Sequence, residues 1–154
     1  MPEESLMTDE IRSLIGLASE LRPVTISEEA VRRAYAAYEG DPPEVFAAGQ
    51  LVPGFVLMSL QADGDSLRVP DILPTSLLVS NEFMIERPLR LGEQLQARSR
   101  IADISERLGG QFGHALYVRT EVELFGPDHD LVGRSASTLM YYDPAGAKSR
   151  DGER

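Results

Sequence analysis

Residues 49–64 read GQLVPGFVLMSLQADG, and we expect the rest of the chain to fold around them. Between Phe55 and Leu60 every side chain except that of Ser59 is apolar, and a helix that is apolar on all sides is a buried helix. We predict that it begins just after the corner 52–54, where proline fixes φ and glycine lets the backbone approach a neighbour closely. The breaker cluster 63–65 is expected to end it. The sequence therefore predicts a buried central helix.

The start of this helix is a candidate binding element. The first amides of a helix have no partner within it. If Gly54 and Phe55 form the start inside a pocket, their N–H groups can hold a carbonyl oxygen or an anion. The alternative interpretation is a core helix that follows a stiff turn and binds nothing.

The composition limits the classes of function that are open to the chain. Its 154 residues fit one domain that can bury a core without disulfides. There is no cysteine, and the two histidines, His114 and His129, lack the spacing of metal ligands, so no metal site is expected. The net charge of −10 disfavours nucleic acid as a partner. No apolar run is long enough to span a membrane and the first residues do not resemble a signal peptide, so we expect a cytoplasmic protein.

Two helical segments are predicted before the central stretch. Apolar residues within 11–21 indicate a short helix that ends near Arg22-Pro23. A second helix is predicted from a cap at Ser27 to a stop at Gly40, because apolar residues recur there at helical spacing. These segments form an N-terminal helical extension.

After Pro74 the apolar spacing changes from helical to alternating, which indicates strands. The four predicted strands are residues 77–86, 94–104, 116–124 and 131–142. In the first of them, one face is expected to carry Leu77, Val79, Asn81, Phe83 and Ile85.

An apolar helix followed by four long antiparallel strands indicates an α+β hotdog fold, in which a curved sheet wraps around the helix. We expect residues 52–61 to be almost wholly buried in a single domain that spans residues 1–143. The polar tail 144–154 is predicted to be disordered. One such unit leaves a sheet edge and a helix end open, so we expect an oligomer.

Three segments resemble the MaoC-like hotdog hydratases and dehydratases. They are residues 22–43 (RPVTISEEAVRRAYAAYEGDPP), 51–60 (LVPGFVLMSL) and 81–111 (NEFMIERPLRLGEQLQARSRIADISERLGGQ). The resemblance spans residues 22–143 and is closest to the N-terminal MaoC-like dehydratase domain. It implies a role in fatty acid metabolism. The implied substrate is a trans-2-enoyl thioester whose carrier is coenzyme A or acyl carrier protein. No other cofactor is implied.

In catalytic members of this family, a Gly-Asp-x-Asn-Pro-x-His segment precedes the central helix. Its aspartate and histidine activate water, and a glycine amide at the helix start polarises the thioester carbonyl. Here Gly40-Asp41 matches the beginning of the segment, and Gly54 matches the helix-start glycine. Phe46 stands where the histidine belongs. A second alignment deletes the whole segment, so both alignments remove the histidine.

The leading hypothesis is an acyl-thioester-binding subunit of an (R)-specific enoyl-CoA hydratase or 3-hydroxyacyl dehydratase, which would be a lyase. This chain would be non-catalytic or weakly catalytic, and would form a homodimer, or a heterodimer or heterotetramer with a catalytic MaoC-like chain. One alternative is a self-sufficient homodimeric hydratase or thioesterase that uses a carboxylate such as Asp63 or Glu82. The other is a non-enzymatic module that binds or scaffolds acyl thioesters.

The candidate site residues fall into three groups. The residues expected to line the acyl chain are Phe46, Val52, Pro53, Gly54, Phe55, Val56 and Met58. The arginines that could meet carrier phosphates, or else form ordinary solvated surface, are Arg87, Arg90, Arg98 and Arg100. The chain's own catalytic candidates are Asp41, Asp63 and His114. Their alternative roles are a turn residue, a helix terminator and a surface or structural histidine, respectively.

Overall fold

The structure is a computed structural model that describes residues 5–38, 40–60, 72–110 and 112–146, apart from the side chain of Met58. The predicted helix end at 63–65, with the candidate Asp63, lies outside the described residues, as does most of the predicted tail. Among the helices in the described ranges, none has the length and apolar character needed to cross a membrane.

An antiparallel sheet with the strand order β1-β5-β6-β7-β3 dominates the fold. Its strands are β1 Arg22–Thr25, β3 Thr75–Ile85, β5 Gln94–Arg107, β6 Ala115–Phe125 and β7 Leu131–Tyr142. A separate short pair joins β2 Leu51–Val52 to β4 Leu89–Arg90. The four long strands match the four alternating segments of the sequence, because alternation marks strands that bury one face.

The described residues also contain four short helical elements: α1 Asp9–Ser13, α2 Glu28–Ala37, a central 3₁₀ helix Gly54–Ser59 and a 3₁₀ turn Pro144–Gly146. The hydroxyl of Ser27 accepts a hydrogen bond from the N–H of Ala30 at 3.1 Å, which is the cap predicted for α2. The α+β class is thus the one that the sequence indicates.

The prediction of a helix over residues 11–21 is wrong beyond the first turns. Gly16 has a φ of 89°, which a right-handed helix cannot contain, and its N–H donates to Ile101 O at 2.7 Å. Further along, the N–H of Ser19 donates to Ser99 O at 2.8 Å. The chain therefore runs extended along β5 and into β1, because pairing with a neighbouring strand outweighs weak local helical preference.

The central helix is also shorter and less buried than predicted. Among the described elements, it packs mainly against α2, β3 and β7. Val56 and Leu57 are buried, whereas the residues of this segment that stay partly exposed are Pro53, Gly54, Phe55, Ser59 and Leu60. Its contact with the sheet is close: a Cβ atom on Gly133 of β7 would lie 2.3 Å from Leu57 Cδ1.

Two apolar clusters lie on the inner face of the sheet, which is the face turned toward the central helix. The first cluster surrounds Val56 and Leu57 and takes residues from β1, α2 and β5. The second consists of Ile101, Ile104, Leu116, Val118 and Tyr141. It is packed by side chains of the N-terminal segment, namely Leu6, Met7, Ile11 and Leu14. The N-terminal segment therefore covers a part of the sheet that the sequence assigns to the central helix.

Strand β3 contains a bulge that changes its predicted face. Leu78 pairs with Leu139 and Ser80 with Thr138, so Val79 is an extra residue in the ladder. One inserted residue reverses the alternation of the side chains that precede it. Asn81, Phe83 and Ile85 therefore share the inner face as predicted, but they share it with Leu78 in place of Leu77.

Candidate functional site

The start of the central 3₁₀ helix lies in the first apolar cluster. Phe46, Val52, Phe55 and Val56 all belong to this cluster, although they come from three segments of the chain. The ring of Phe55 also meets the ring of Tyr35 edge-on, with centroids 5.2 Å apart. The structure thus brings together four of the residues expected to line an acyl chain.

Gly54 begins the helix and has a packing reason to be glycine. A Cβ atom at this position would lie 2.3 Å from Ile85 Cδ1 on β3. The N–H of Val56 donates to Pro53 O at 3.1 Å, so the helical bonding starts with the third residue of the helix. The amides of Gly54 and Phe55 are the two that precede it, as expected for the first turn. That they hold a thioester carbonyl stays a prediction.

Phe46, which the first alignment places at the family's histidine, is a packed aromatic ring. Phe46 is half-buried against the first cluster, and the guanidinium carbon of Arg32 lies 4.8 Å from the centre of its ring. Asp41, five residues earlier, is exposed. The second carboxylate considered from the sequence, Glu82, is exposed on β3 and lies 3.4 Å from Arg119.

His114 belongs to a different part of the molecule. Its Nε2 lies 2.7 Å from Glu106 Oε2. The same carboxylate accepts the hydroxyl of Ser5 at 2.5 Å and the N–H of Leu6 at 3.0 Å. These hydrogen bonds, with that of Ser5 first and that of His114 next, lower the pKa of Glu106 below its ordinary value. The cluster therefore ties the N-terminal segment to the end of β5.

This cluster and the central helix lie near opposite ends of β6. His114 immediately precedes Ala115, the first residue of β6, whereas the helix contacts Gly133, which pairs with Leu124 near the other end of β6. Ala115 and Leu124 are nine positions apart along the strand, or about 30 Å. The other histidine, His129, is exposed in the turn after β6. His114 is therefore too distant to share a site with Gly54 of the same chain.

Arg98 and Arg100 lie on the outer face of the sheet, each beside a carboxylate of β6. Arg98 contacts Glu123 at 3.1 Å, and Arg100 contacts Glu121 at 2.9 Å. Burial alone would raise the pKa of Glu121, but the hydrogen bond and charge of Arg100 prevail and lower it. The charges of both arginines are thus balanced within the sheet. Sequence reasoning missed these pairs because they depend on the register of β5 and β6.

Arg87 and Arg90 lie at the end of the sheet that carries the central helix. Arg87 forms ion pairs with Glu93 at 2.9 Å and Asp130 at 3.1 Å. Arg90 is exposed, and its guanidinium donates to the neutral carbonyl of Gly49 at 3.0 Å. Because Arg90 pairs with Leu51 in the β2–β4 ladder, it stands beside the segment that leads into Gly54. Of the four arginines named from the sequence, Arg90 is the one best placed to meet an anion at the helix start.

Comparison with known proteins identifies the fold through solved structures. No protein-family model matches the sequence, and the search of curated proteins also finds no match. Solved structures do match. A chain of the ChsH1-ChsH2 complex from Mycobacterium tuberculosis superposes with a TM-score of 0.63 at 14% identity, over 84% of this chain and 91% of that one.

Two further structures give the same result. A chain of the HadBC (3R-hydroxyacyl-ACP dehydratase) complex from Mycobacterium tuberculosis has a TM-score of 0.52 at 21% identity, over 82% of this chain and 96% of that one. A MaoC-like dehydratase from Rhodospirillum rubrum has a TM-score of 0.53 at 12% identity, over 83% of this chain and 92% of that one. At these identities the likeness concerns the fold, and it confirms the predicted hotdog architecture.

Proposed function

We propose that this chain, which has the hotdog fold of the MaoC-like dehydratases, is an acyl-thioester-binding subunit of a heteromeric enoyl-thioester hydratase or 3-hydroxyacyl dehydratase. It shapes the acyl site, and a partner chain of the same fold supplies the acid–base pair. The reaction adds water to a trans-2-enoyl thioester or removes it from the 3-hydroxyacyl product.

The observation that carries this proposal is the make-up of the helix start. The apolar lining is assembled there, while Phe46, which one alignment places at the family's histidine, is an aromatic ring and His114 is bound to Glu106 at the far end of the sheet. Hydration requires one group that takes a proton from water and one that returns a proton to the α-carbon. A site with the lining but without this pair suits the binding half of a two-chain enzyme.

The structural neighbours support a heteromer by analogy. Two of them are complexes of two different chains, and one of these is by its name a 3R-hydroxyacyl-ACP dehydratase. Fold analogy does not itself establish function. It makes a catalytic MaoC-like partner the first one to test.

We further propose that Arg90 contacts the phosphates when coenzyme A is the carrier. Its guanidinium is exposed and pairs with a neutral carbonyl, whereas Arg87, Arg98 and Arg100 are held by carboxylates. Replacement of Arg90 by alanine should weaken binding of an enoyl-coenzyme A. The matched ligand is the enoyl-pantetheine thioester, which has the same acyl group without the nucleotide phosphates and should bind the two proteins alike.

The function is tested by following the absorbance of a trans-2-enoyl-coenzyme A. The assay compares this chain alone, a MaoC-like chain with an intact Asp/His pair alone, and both together. We expect turnover from the mixture that exceeds the sum of the separate chains by about 10²-fold or more, the usual scale of general acid–base help. Turnover of about 10 per second by this chain alone, an ordinary enzyme rate, would refute the proposal.

A Phe46→His variant provides the internal control for this assay. A histidine placed at residue 46 still lacks the Asn-Pro geometry that holds the family's histidine. We therefore expect the variant alone to remain inactive. Activity of Phe46→His alone would show that a single substitution separates this chain from a catalytic one.

A further inference from the structure

A cavity lies beside the loop that joins β5 to β6. Its volume is about 220 Å³, far above the roughly 10 to 15 Å³ that a single water molecule needs. We call this cavity the hairpin slot, and its lining includes Arg107, Gly109, Gly110, Phe112, Ala115 and Tyr117. Pockets for drug-sized ligands begin at about 300 Å³. The slot therefore suits a ligand of one ring system and is too small for a whole coenzyme.

The hairpin slot lies on the outer face of the sheet. Leu116 and Val118 belong to the second apolar cluster on the inner face, so the alternating residues Ala115 and Tyr117 point outward. Arg107 pairs with Ala115 in the ladder and shares that face. Ala115 is also about 30 Å from the part of β6 that lies beside the central helix. The slot is therefore separate from the proposed acyl site of the same chain.

Two aromatic side chains line the slot. Phe112 meets the ring of Tyr142 edge-on, with centroids 5.1 Å apart, and Tyr142 pairs with Ala115 in the ladder of β6 and β7. Tyr117 supplies the second ring at the next outward position of β6. Both lining rings are only partly buried. Because the side chain of Ala115 is a single methyl group, it leaves room for a flat ligand beside them.

Arg107 gives the slot a positive charge that contacts no carboxylate of the described residues. Its guanidinium carbon lies 4.7 Å from the centre of the Tyr117 ring. By contrast, the arginines that contact glutamates on the outer face of the same strands are Arg98, Arg100, Arg119 and Arg134. Arg107 is exposed, so its N–H groups are accessible to a ligand. A guanidinium can bind a carboxylate through two parallel hydrogen bonds.

Gly109 and Gly110 keep one side of the slot open. Their φ angles are 79° and 78°, in the left-handed region that favours glycine. Beyond its neighbours in the chain, a Cβ atom on either residue would meet no described atom within 4 Å. The hairpin thus combines an accessible opening, two aromatic rings and one cation that is not balanced by a glutamate.

We propose that the hairpin slot binds a small aromatic carboxylate. The ring of the ligand packs against Phe112 and Tyr117, and its carboxylate accepts hydrogen bonds from the guanidinium of Arg107. An aliphatic acid would lose the contact between rings, and a neutral aromatic molecule would leave Arg107 without a counter-charge. This site goes beyond the proposed function, because it is distant from the acyl site and requires neither a thioester nor a catalytic partner.

Indole-3-acetate is a suitable probe, because the chain contains no tryptophan and indole fluorescence then reports the ligand alone. The titration is made at about 0.1 M salt, where the field of the net charge reaches only about 10 Å. Binding should raise the fluorescence anisotropy of the probe, with a Kd of about 1 mM or below, as expected for a ligand of this size. The neutral analogue indole-3-acetamide should bind at least about tenfold more weakly, because it lacks the charge-assisted hydrogen bonds.

Variants locate the bound probe. Arg107→Gln should weaken binding of indole-3-acetate by about tenfold and leave that of indole-3-acetamide unchanged. Tyr117→Leu should weaken binding of both ligands by about threefold or more, because both use the ring contact. Arg12→Gln is the matched control, since it makes the same change in net charge at an exposed side chain of α1. It should bind both ligands as the wild type does. Far-ultraviolet circular dichroism establishes that each variant is folded.

Three results would overturn the proposal. The first is an anisotropy that stays constant up to millimolar concentrations of the chain. The second is a folded Arg107→Gln that binds indole-3-acetate as tightly as the wild type, because the probe would then occupy another site. The third is a folded Tyr117→Leu with unchanged affinity for both ligands. These titrations use this chain alone and no thioester, so their failure and a failure of the hydratase assay are distinguishable.

Discussion

At the scale of single residues, two glycines fix where the central helix lies. A Cβ atom on Gly54 would lie 2.3 Å from Ile85 Cδ1, and one on Gly133 would lie 2.3 Å from Leu57 Cδ1. Neither glycine has a positive φ, so backbone freedom does not explain them. The sequence suggests a binding role for Gly54, while the structure gives the residue a packing role that stands without any ligand.

Replacement of Gly54 by alanine should therefore destabilise the fold. The added methyl group meets only the end of the Ile85 side chain, which can turn aside, so we expect a cost near the lower end of the about 1 to 3 kcal/mol that overpacking takes. Urea denaturation measures the loss. In an Ile85→Val background the clashing Cδ1 is gone, and the same Gly54→Ala change should cost clearly less, which a double-mutant cycle detects. Equal costs in both backgrounds would contradict the packing explanation.

Glu106 should make the stability of the fold depend on pH. Hydrogen bonds from Ser5, His114 and Leu6 lower its pKa in the folded chain. A carboxyl group with a lowered folded pKa stabilises the fold above its unfolded pKa of about 4.3, and this contribution disappears as the pH falls through the folded value. Below about pH 4.3 we therefore expect wild-type stability to fall more steeply than that of Glu106→Gln.

Urea denaturation at a series of pH values between neutrality and strong acid measures this difference. Glu44→Gln is the matched control, because Glu44 is exposed in the loop before the central helix. It should follow the wild-type curve. If Glu106→Gln follows that curve as well, the three hydrogen bonds to Glu106 do not contribute to stability.

At the scale of elements, the alternating segments were predictable and the short pieces were not. The last strand runs from Leu131 to Tyr142, as its alternation predicts. Successive side chains of a strand point to opposite faces, so a strand that buries one face alternates apolar and polar residues. The strands β1, β2 and β4 have two to four residues, too few to show a period. Their positions depend on partners that are distant in the chain.

Part of the candidate site could also be predicted from the sequence and part could not. Its apolar lining could be predicted, because Val52 and Val56 are apolar residues next to a proline-glycine corner. The ion pairs of the arginines could not be predicted. Which carboxylate meets Arg98 or Arg100 depends on the pairing of β5 with β6, and a bulge between Ile101 and Asp103 shifts that pairing by one residue.

The central helix should be essential even though it is short. Val56 is fully buried, and an aspartate there would place an uncompensated charge in the first apolar cluster. We expect Val56→Asp to lose cooperative unfolding altogether. Leu51→Asp, in the strand just before the helix, replaces a side chain that is 55% exposed and should change stability by only about 0.5 kcal/mol. Thermal denaturation distinguishes them, and a cooperatively folded Val56→Asp would contradict the role assigned to this helix.

At the scale of the whole molecule, net charge opposes the carrier that the proposed function requires. The chain carries a charge of −10, and coenzyme A is itself an anion. Most of the arginines on the sheet are balanced by glutamates, so they do not offset this field locally. Exposed charges act over about 30 Å at 0.01 M salt but only about 10 Å at 0.1 M. Added salt should therefore screen the repulsion of the whole chain before it weakens a close contact such as that of Arg90.

The affinity for an enoyl-coenzyme A should thus increase when salt is raised from about 10 mM to about 100 mM. The enoyl-pantetheine thioester lacks the phosphates, and its affinity should stay constant over the same range. Titration calorimetry at several salt concentrations measures both ligands. Arg90→Ala should bind the coenzyme A ligand more weakly at every concentration and keep the rise with salt, because the rise comes from the net charge of the chain. An affinity that falls steadily with salt would instead show that close contacts between cations of the chain and the phosphates outweigh the repulsion by the net charge.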